Sequence, residues 1–141
     1  MILVVDASVA VKWLHNEDGS QAAATLLTRG DTLIAPDLVM PEVCNTTWKM
    51  VRRGMMTPTQ QLAAVTRLPS ILHELAPTAP LAPRAAAISL VLDHPAYDCF
   101  YLALAEQRGS KLISADRRLI QRVANTIWSD VVISLGTLPA G

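Results

Sequence analysis

The stretch Met1-Ile2-Leu3-Val4-Val5-Asp6-Ala7-Ser8-Val9 decides how the rest of the chain is read. Ile2 to Val5 is a short, wholly apolar run rich in β-branched types, which predicts a strand buried on both faces, as in a parallel sheet. The run stops on a carboxylate, Asp6, and a helical stretch starts at Ser8. Further short strands are expected at Thr32 to Ala35, Ile71 to Leu75, Leu112 to Ser114 and Val131 to Ile133. Helices fill the intervals. One carries Ala23, Leu26 and Leu27 on an apolar face and stops at Gly30. The next has Pro41 at its first position, where the missing amide does no harm, and runs past Trp48 to Gly54. Others run from Thr57-Pro58 to Leu68, Arg84 to Leu92, His94-Pro95 to Gly109, and Asp116 to Val123. The Pro/Ala segment Ala76 to Pro83 reads as a connector. Strands alternating with helices predict the α/β class, an α/β/α sandwich with a central parallel sheet.

Length and composition bound the function. The 141 residues suit a single domain, residues 1 to 141, and 51% hydrophobic against 17% charged residues allows a substantial core. Twelve Lys plus Arg balance twelve Asp plus Glu. Contact with nucleic acid must therefore come from local clustering, not from an overall basic field. Cys44 and Cys99 lack metal or redox spacing, and both are expected as buried free thiols of a reducing cytoplasm. No secretion signal is expected at the start, because Asp6 interrupts the apolar run. Leu75 to Leu92 carries three prolines and Arg84 and does not read as a membrane span. The chain is expected to be soluble and cytoplasmic.

The acids carry the functional signal. Asp6 and Asp116 lie just beyond strand ends, and in open parallel sheets ligands bind at the carboxyl edge. Asp98 precedes the apolar run Cys99 to Ala105 and shares a helix row with Leu102 and Ala105, so it is expected to point inward. Burial there is costly unless something cationic meets it. Glu42 stands in a first helical turn at the same edge. Each acid alone suits a helix cap or a first turn. Four converging carboxylates repel one another, and the usual compensation is a hard divalent cation such as Mg²⁺ or Mn²⁺. A cation held this way can lower the pKa of bound water and neutralise charge developing on a phosphodiester.

Four segments now stand in order: Val4-Val5-Asp6-Ala7-Ser8-Val9, Pro41-Glu42-Val43-Cys44-Asn45, Ala96-Tyr97-Asp98-Cys99-Phe100-Tyr101-Leu102-Ala103-Leu104-Ala105, and Leu112-Ile113-Ser114-Ala115-Asp116-Arg117-Arg118-Leu119. Together they resemble the acidic motifs of PIN-domain ribonucleases, and the length and opening are most similar to VapC-type toxins. The resemblance spans essentially the whole chain. It implies an endoribonuclease dependent on Mg²⁺ or Mn²⁺, a parallel sheet flanked by helices, a homodimer, and inhibition by a small VapB-type antitoxin. It places the acids on Asp6, Glu42, Asp98 and Asp116, with Ser8, Ser114 and Asn45 as supporting polar residues. Ser8 also fits a helix N-cap and Ser114 a strand-end hydroxyl, while Asn45 shares a helix face with Glu42 and fits either a hydrogen bond to it or the satisfaction of buried backbone.

RNA contact is expected from Lys12, Lys49, Arg52, Arg53, Arg117 and Arg118, which flank the acids in sequence. Solvated surface charge or antitoxin contact would account for the same residues. Trp13 and Trp48, at helical spacing among apolar residues, are expected in the core or an interface. A phosphorelay receiver is excluded, because the 31 positions between Asp6 and Asp37 cannot hold two βα units and a third strand. No nucleophile elbow or Gly-rich phosphate loop is present. The remaining rival is a non-catalytic PIN-fold binding or scaffold module.

Overall fold

The computed structural model describes residues 1–138. Five strands form one sheet: β1 (Ile2–Val5), β2 (Thr32–Pro36), β3 (Glu74–Ala76), β4 (Lys111–Ser114) and β5 (Val132–Ser134). Their order is β3-β2-β1-β4-β5, and every neighbouring pair is parallel. Seven helices connect and cover them: α1 (Ala7–Leu14), α2 (Ser20–Leu27), α3 (Val39–Arg52), α4 (Pro58–Ile71), α5 (Ala82–Leu92), α6 (Ala96–Arg108) and α7 (Arg117–Val123). The α/β/α sandwich expected from the alternation is the observed architecture. No helix among the described residues is long and apolar enough to cross a membrane.

The strand order positions the site. The chain builds outward from β1 through β2 to β3, then returns to the other side of β1 with β4 and β5. The winding reverses between β1 and β4, and the crevice at such a switch point is where open α/β sheets bind ligands. Val5 pairs with Ile113 in this register, so Asp6 and Asp116 leave the sheet on either side of the switch. Beneath them the core is continuous, with Leu3, Val4, Val5, Ile34, Leu112 and Ile113 almost fully buried. Helix α6 packs on β1, β2 and β4 and buries Cys99 and Tyr101 through Ala105, as its apolar run foretold.

Several local boundaries differ from the sequence expectation. Helix α1 begins at Ala7, not Ser8, because the Asp6 side chain accepts from the Val9 N–H and is itself the N-cap. Helix α3 begins at Val39, so Pro41 sits third in the helix. The first four amides of a helix have no intrahelical acceptor, and proline is tolerated at any of these positions. Helix α4 opens with a full capping box between Thr57 and Gln60 and continues through Pro69 to Ile71, three residues past the expected stop. Leu68 and Leu72 are both buried, and that four-residue interval holds one apolar face of the turn despite the proline. The strand is correspondingly displaced to Glu74–Ala76, and His73 completes its edge by accepting from the Leu33 N–H through Nδ1. The connector contains one 3₁₀ turn, Ala79–Leu81, and α5 starts at Ala82.

The two cysteines differ. Cys99 is buried, and desolvation together with nearby Asp98 pushes its thiol up to about 11. Cys44, expected to be buried, is exposed, because Val43 and Thr47 occupy the inward face of α3. Trp13 packs against the core and donates from Nε1 to the Ala23 carbonyl at 2.8 Å. Trp48 lies outside, 46% exposed, with the Arg52 guanidinium 5.0 Å from its ring centre.

Candidate active site

Asp6, Glu42, Asp98 and Asp116 line one cleft of about 390 Å³ above the switch point, together with Glu17 and Tyr101. Asp6 is the deepest, 4% exposed. Its Oδ1 accepts from the Ser8 hydroxyl at 2.5 Å and from the Val9 N–H at 3.2 Å. The Ser114 hydroxyl donates to the same carboxylate. Burial pushes the Asp6 carboxyl up to about 6 against the lowering effect of these bonds, and the charge of Asp98 adds to the rise.

Ser8 does not cap α1, since Asp6 does, and Ser114 does more than end β4. Ser8 Oγ also accepts from the Ala115 N–H at 2.9 Å, and Ser114 Oγ accepts from the Asp116 N–H at 3.0 Å. Each ties the end of β1 or its helix to the end of β4, so the two serines fix the spacing of the loops that carry Asp6 and Asp116. Asp116 is the N-cap of α7 and accepts from the Arg118 N–H at 2.9 Å.

Glu42 is held from the opposite side. The Tyr101 hydroxyl, on a side chain 1% exposed, donates to Glu42 Oε1 at 2.6 Å. Burial raises the Glu42 pKa, the tyrosine bond opposes the rise, and Asp98 adds to it. The same burial, with the charge of Glu42, drives the Tyr101 phenol upward, so it stays a donor. Asp98 receives His94 Nε2 at 2.5 Å on its Oδ2, from the loop that leads into α6. This is the hydrogen-bonding partner of the half-buried Asp98.

The structure therefore assembles all four expected acids and both serines. Asn45 is exposed on α3, and the donor to Glu42 is Tyr101 instead. Tyr101 and His94 were missed in the sequence, although two signals were present. A tyrosine inside a buried apolar run needs a polar partner, and a histidine just ahead of a helix can fold over an aspartate in that helix's first turn.

The six basic residues do not share one surface. Lys12 lines the acid cleft, but its ammonium is tied to the Asp18 carbonyl at 2.7 Å and to Glu17 at 3.4 Å. Lys49, Arg52 and Arg53 line a separate depression with Trp48 at the far end of α3. Arg118 lines a second cleft that adjoins the acids, and Arg117 is exposed. Among the described residues no lysine or arginine forms an ion pair with Asp6, Glu42, Asp98 or Asp116.

The PIN domain family model matches residues 3–125, which include all four acids. The chain is a PIN domain of the VapC type. It is 32% identical over 124 residues to "Ribonuclease VapC3" of Pyrobaculum aerophilum, covering 86% of this chain and 95% of that protein. It is 33% identical over 120 residues to "Ribonuclease VapC12" of Mycobacterium tuberculosis, covering 85% and 91%. The fold of this PIN domain is shared with a solved protein of Pyrobaculum aerophilum at a TM-score of 0.72, 22% identity, over 97% of this chain and 91% of that one. It is shared also with VapBC2 of Rickettsia felis, solved bound to a promoter DNA fragment, at 0.67, 14% identity, over 95% and 98%.

Proposed function

We propose that this chain is an endoribonuclease toxin that hydrolyses RNA at the cleft of Asp6, Glu42, Asp98 and Asp116 with the aid of Mg²⁺ or Mn²⁺. The observation that carries the reading is the state of those acids. They share one cleft, each is oriented by its own donor, and none is neutralised by a lysine or arginine. Crowded carboxylates that the chain leaves unpaired suit a hard divalent cation with oxygen ligands. Among the described residues no three acid, histidine or cysteine side chains stand close enough together, as placed, to hold one ion. The donor set fits by its chemistry: two of its carboxyls are raised by burial, so the native state favours a ligand that restores their charge balance.

Asp6, Glu42 and Asp98 would hold the cation directly or through water, and Asp116 would complete the set. A divalent ion bound there supplies positive charge for the phosphoryl oxygens and acidifies water for attack on the phosphodiester. The chain's own contribution is preorganisation. Ser8 and Ser114 fix Asp6, Tyr101 fixes Glu42 and His94 fixes Asp98, so no oriented carboxylate has to be found by conformational search. The relatives named VapC ribonuclease and the neighbours solved as VapBC complexes support an RNA substrate and a VapB-type antitoxin partner. Exposed Leu62, Leu90, Val91 and Ile127 leave apolar surface for that partner or for a second copy in a homodimer. The reading places the protein in the cytoplasm, where its RNA is.

The test is cleavage of single-stranded RNA by purified protein in Mg²⁺, Mn²⁺ or chelator, with Asp6→Asn and Asp98→Asn beside the wild type. Cleavage is expected only with a divalent ion, and each variant should lose about 100-fold or more while circular dichroism stays native. A folded Asp6→Asn protein that cleaves like the wild type overturns the reading. A wild type that binds RNA without cutting it returns the non-catalytic scaffold.

A further inference from the structure

A second cleft of about 470 Å³ adjoins the acid cleft, and Asp98 and Asp116 line both. One wall is the loop Asp93, His94 and Pro95 that leads into α6. The other is the face of α7 that presents Arg118, Gln121 and Arg122, spaced i, i+3 and i+4. We propose that this cleft is the track for the RNA chain beside the scissile bond, with Arg118 contacting the neighbouring phosphate and Gln121 donating to the phosphate or its sugar. The inference rests on the nuclease reading above and states where that substrate lies.

Five observations select this cleft. It is continuous with the acids, so a chain with one phosphate at Asp98 and Asp116 passes directly into it. Arg118 is exposed, and no described acid forms an ion pair with it. Lys12, the cation on the other flank, is already held by Glu17 and Asp18. The wall is rigid where it matters: Arg122 donates to the Leu92 carbonyl and to the Asp93 carbonyl, the last acceptors of α5, and anchors α7 to the opposite wall. Lys49, Arg52 and Arg53 lie seven to eleven residues along α3 from Glu42, on the order of 10–16 Å away by helical rise.

A phosphate beside bare carboxylates is repelled, and a cation placed one nucleotide further on offsets the repulsion while leaving the acids free. Arg118 is suited to that task because its guanidinium can meet two phosphate oxygens at once.

The experiment measures binding, not cleavage. Fluorescently labelled single-stranded RNA is titrated with the Asp6→Asn protein in Mg²⁺ by anisotropy across a salt series, with the RNA checked for integrity afterwards. Adding Arg118→Ala should weaken binding about fivefold, the upper end for an exposed ion pair. It should also lower the slope of log affinity against log salt by about 0.7, the value for one phosphate contact on a single strand. Arg118→Glu should weaken binding further, Gln121→Ala should weaken it without changing the slope, and Arg67→Ala should change neither quantity. Among the described residues no hydrogen bond or ion pair is made by the Arg118 side chain, so its variants should keep a native circular dichroism spectrum. An unchanged slope in Arg118→Ala overturns the proposal, as does a slope loss that follows Lys49→Ala/Arg52→Ala instead. The two readings fail separately: a wild type that cleaves while the Arg118→Ala slope is unchanged loses the track and keeps the nuclease. A wild type that never cleaves while the slope falls loses the nuclease and keeps the cleft.

Discussion

Glu42 and Glu106 are the same side chain in opposite circumstances. Glu42 meets one neutral donor, Tyr101, faces the charge of Asp98, and has its pKa raised by burial. Glu106 accepts from Arg84 at 2.7 and 3.0 Å and from Trp128 Nε1 at 2.7 Å, and Arg84 holds its carboxyl below the usual range. Glu74 repeats the second pattern with Arg108. The acids of the fold are balanced within the chain. Asp6, Glu42, Asp98 and Asp116 are oriented by serine, tyrosine, histidine and a backbone N–H, and no lysine or arginine among the described residues pairs with them, so on the proposed reading their negative charge is left for a bound cation. That difference separates Glu74 and Glu106 from the carboxylates proposed for the site more sharply than burial or position does.

The comparison makes its largest prediction for pH. With divalent ions chelated, Asp6 titrates near 6 in the folded chain against 3.8 unfolded, so between these values the native state binds the extra proton. Stability should therefore fall as pH rises through that window, by roughly 3 kcal/mol at most. Glu74 and Glu106 have folded values below their unfolded 4.5 and act with the opposite sign. Their contribution is present above 4.5 and is lost only as pH falls further. Denaturant midpoints at pH 7 and 5 should show a gain on acidification in wild type and a much smaller one in Asp6→Asn; equal gains would erase the distinction.

Supplying that cation is the next test. Mg²⁺ or Mn²⁺ at a hundredfold excess over its Kd should stabilise the wild type by about 2.7 kcal/mol. Thermal melts of Asp98→Asn should show a smaller shift, and Glu106→Gln the full one. An identical shift in Asp98→Asn would place the ion elsewhere.

Removing an orienting donor should cost less. Tyr101→Phe keeps the packing of a buried ring but leaves Glu42 without its hydrogen bond, and we expect a stability loss of about 1–2 kcal/mol. RNA cleavage should fall about tenfold, by analogy with loss of a residue that orients a metal ligand. Cleavage unchanged in the face of that stability loss would assign Tyr101 to the core alone. The smallest effect belongs to the balanced region. Glu106→Ala strands the Trp128 N–H and should lose about 1 kcal/mol in equilibrium unfolding while RNA cleavage keeps its wild-type rate.

The alternation of short apolar runs with helical periods was enough to determine the α/β/α sandwich, because both periods are local and each buried run must be covered on both faces. It also determined that Asp6 and Asp116 stand at strand ends and that Asp98 leads a buried helix, since a strand's end and a helix's first turn are marked in the sequence itself. Only the tertiary structure decided the partners. Tyr101 and Glu42 are 59 positions apart, and their bond exists because α6 packs across β1 and β2 toward the start of α3. Asn45 shares a helix face with Glu42 in projection, yet lies exposed because the inward face of α3 is taken by Val43, Thr47 and Met50. The basic residues were legible as flanking the acids, but flanking in sequence does not fix distance in space. Lys12 was captured by the α1–α2 loop, Lys49, Arg52 and Arg53 were carried to the far end of α3, and Arg118 was left beside the acids. Periodicity specifies which face of an element is buried, whereas which two faces meet depends on strand order and helix packing, and those are settled by the whole chain at once.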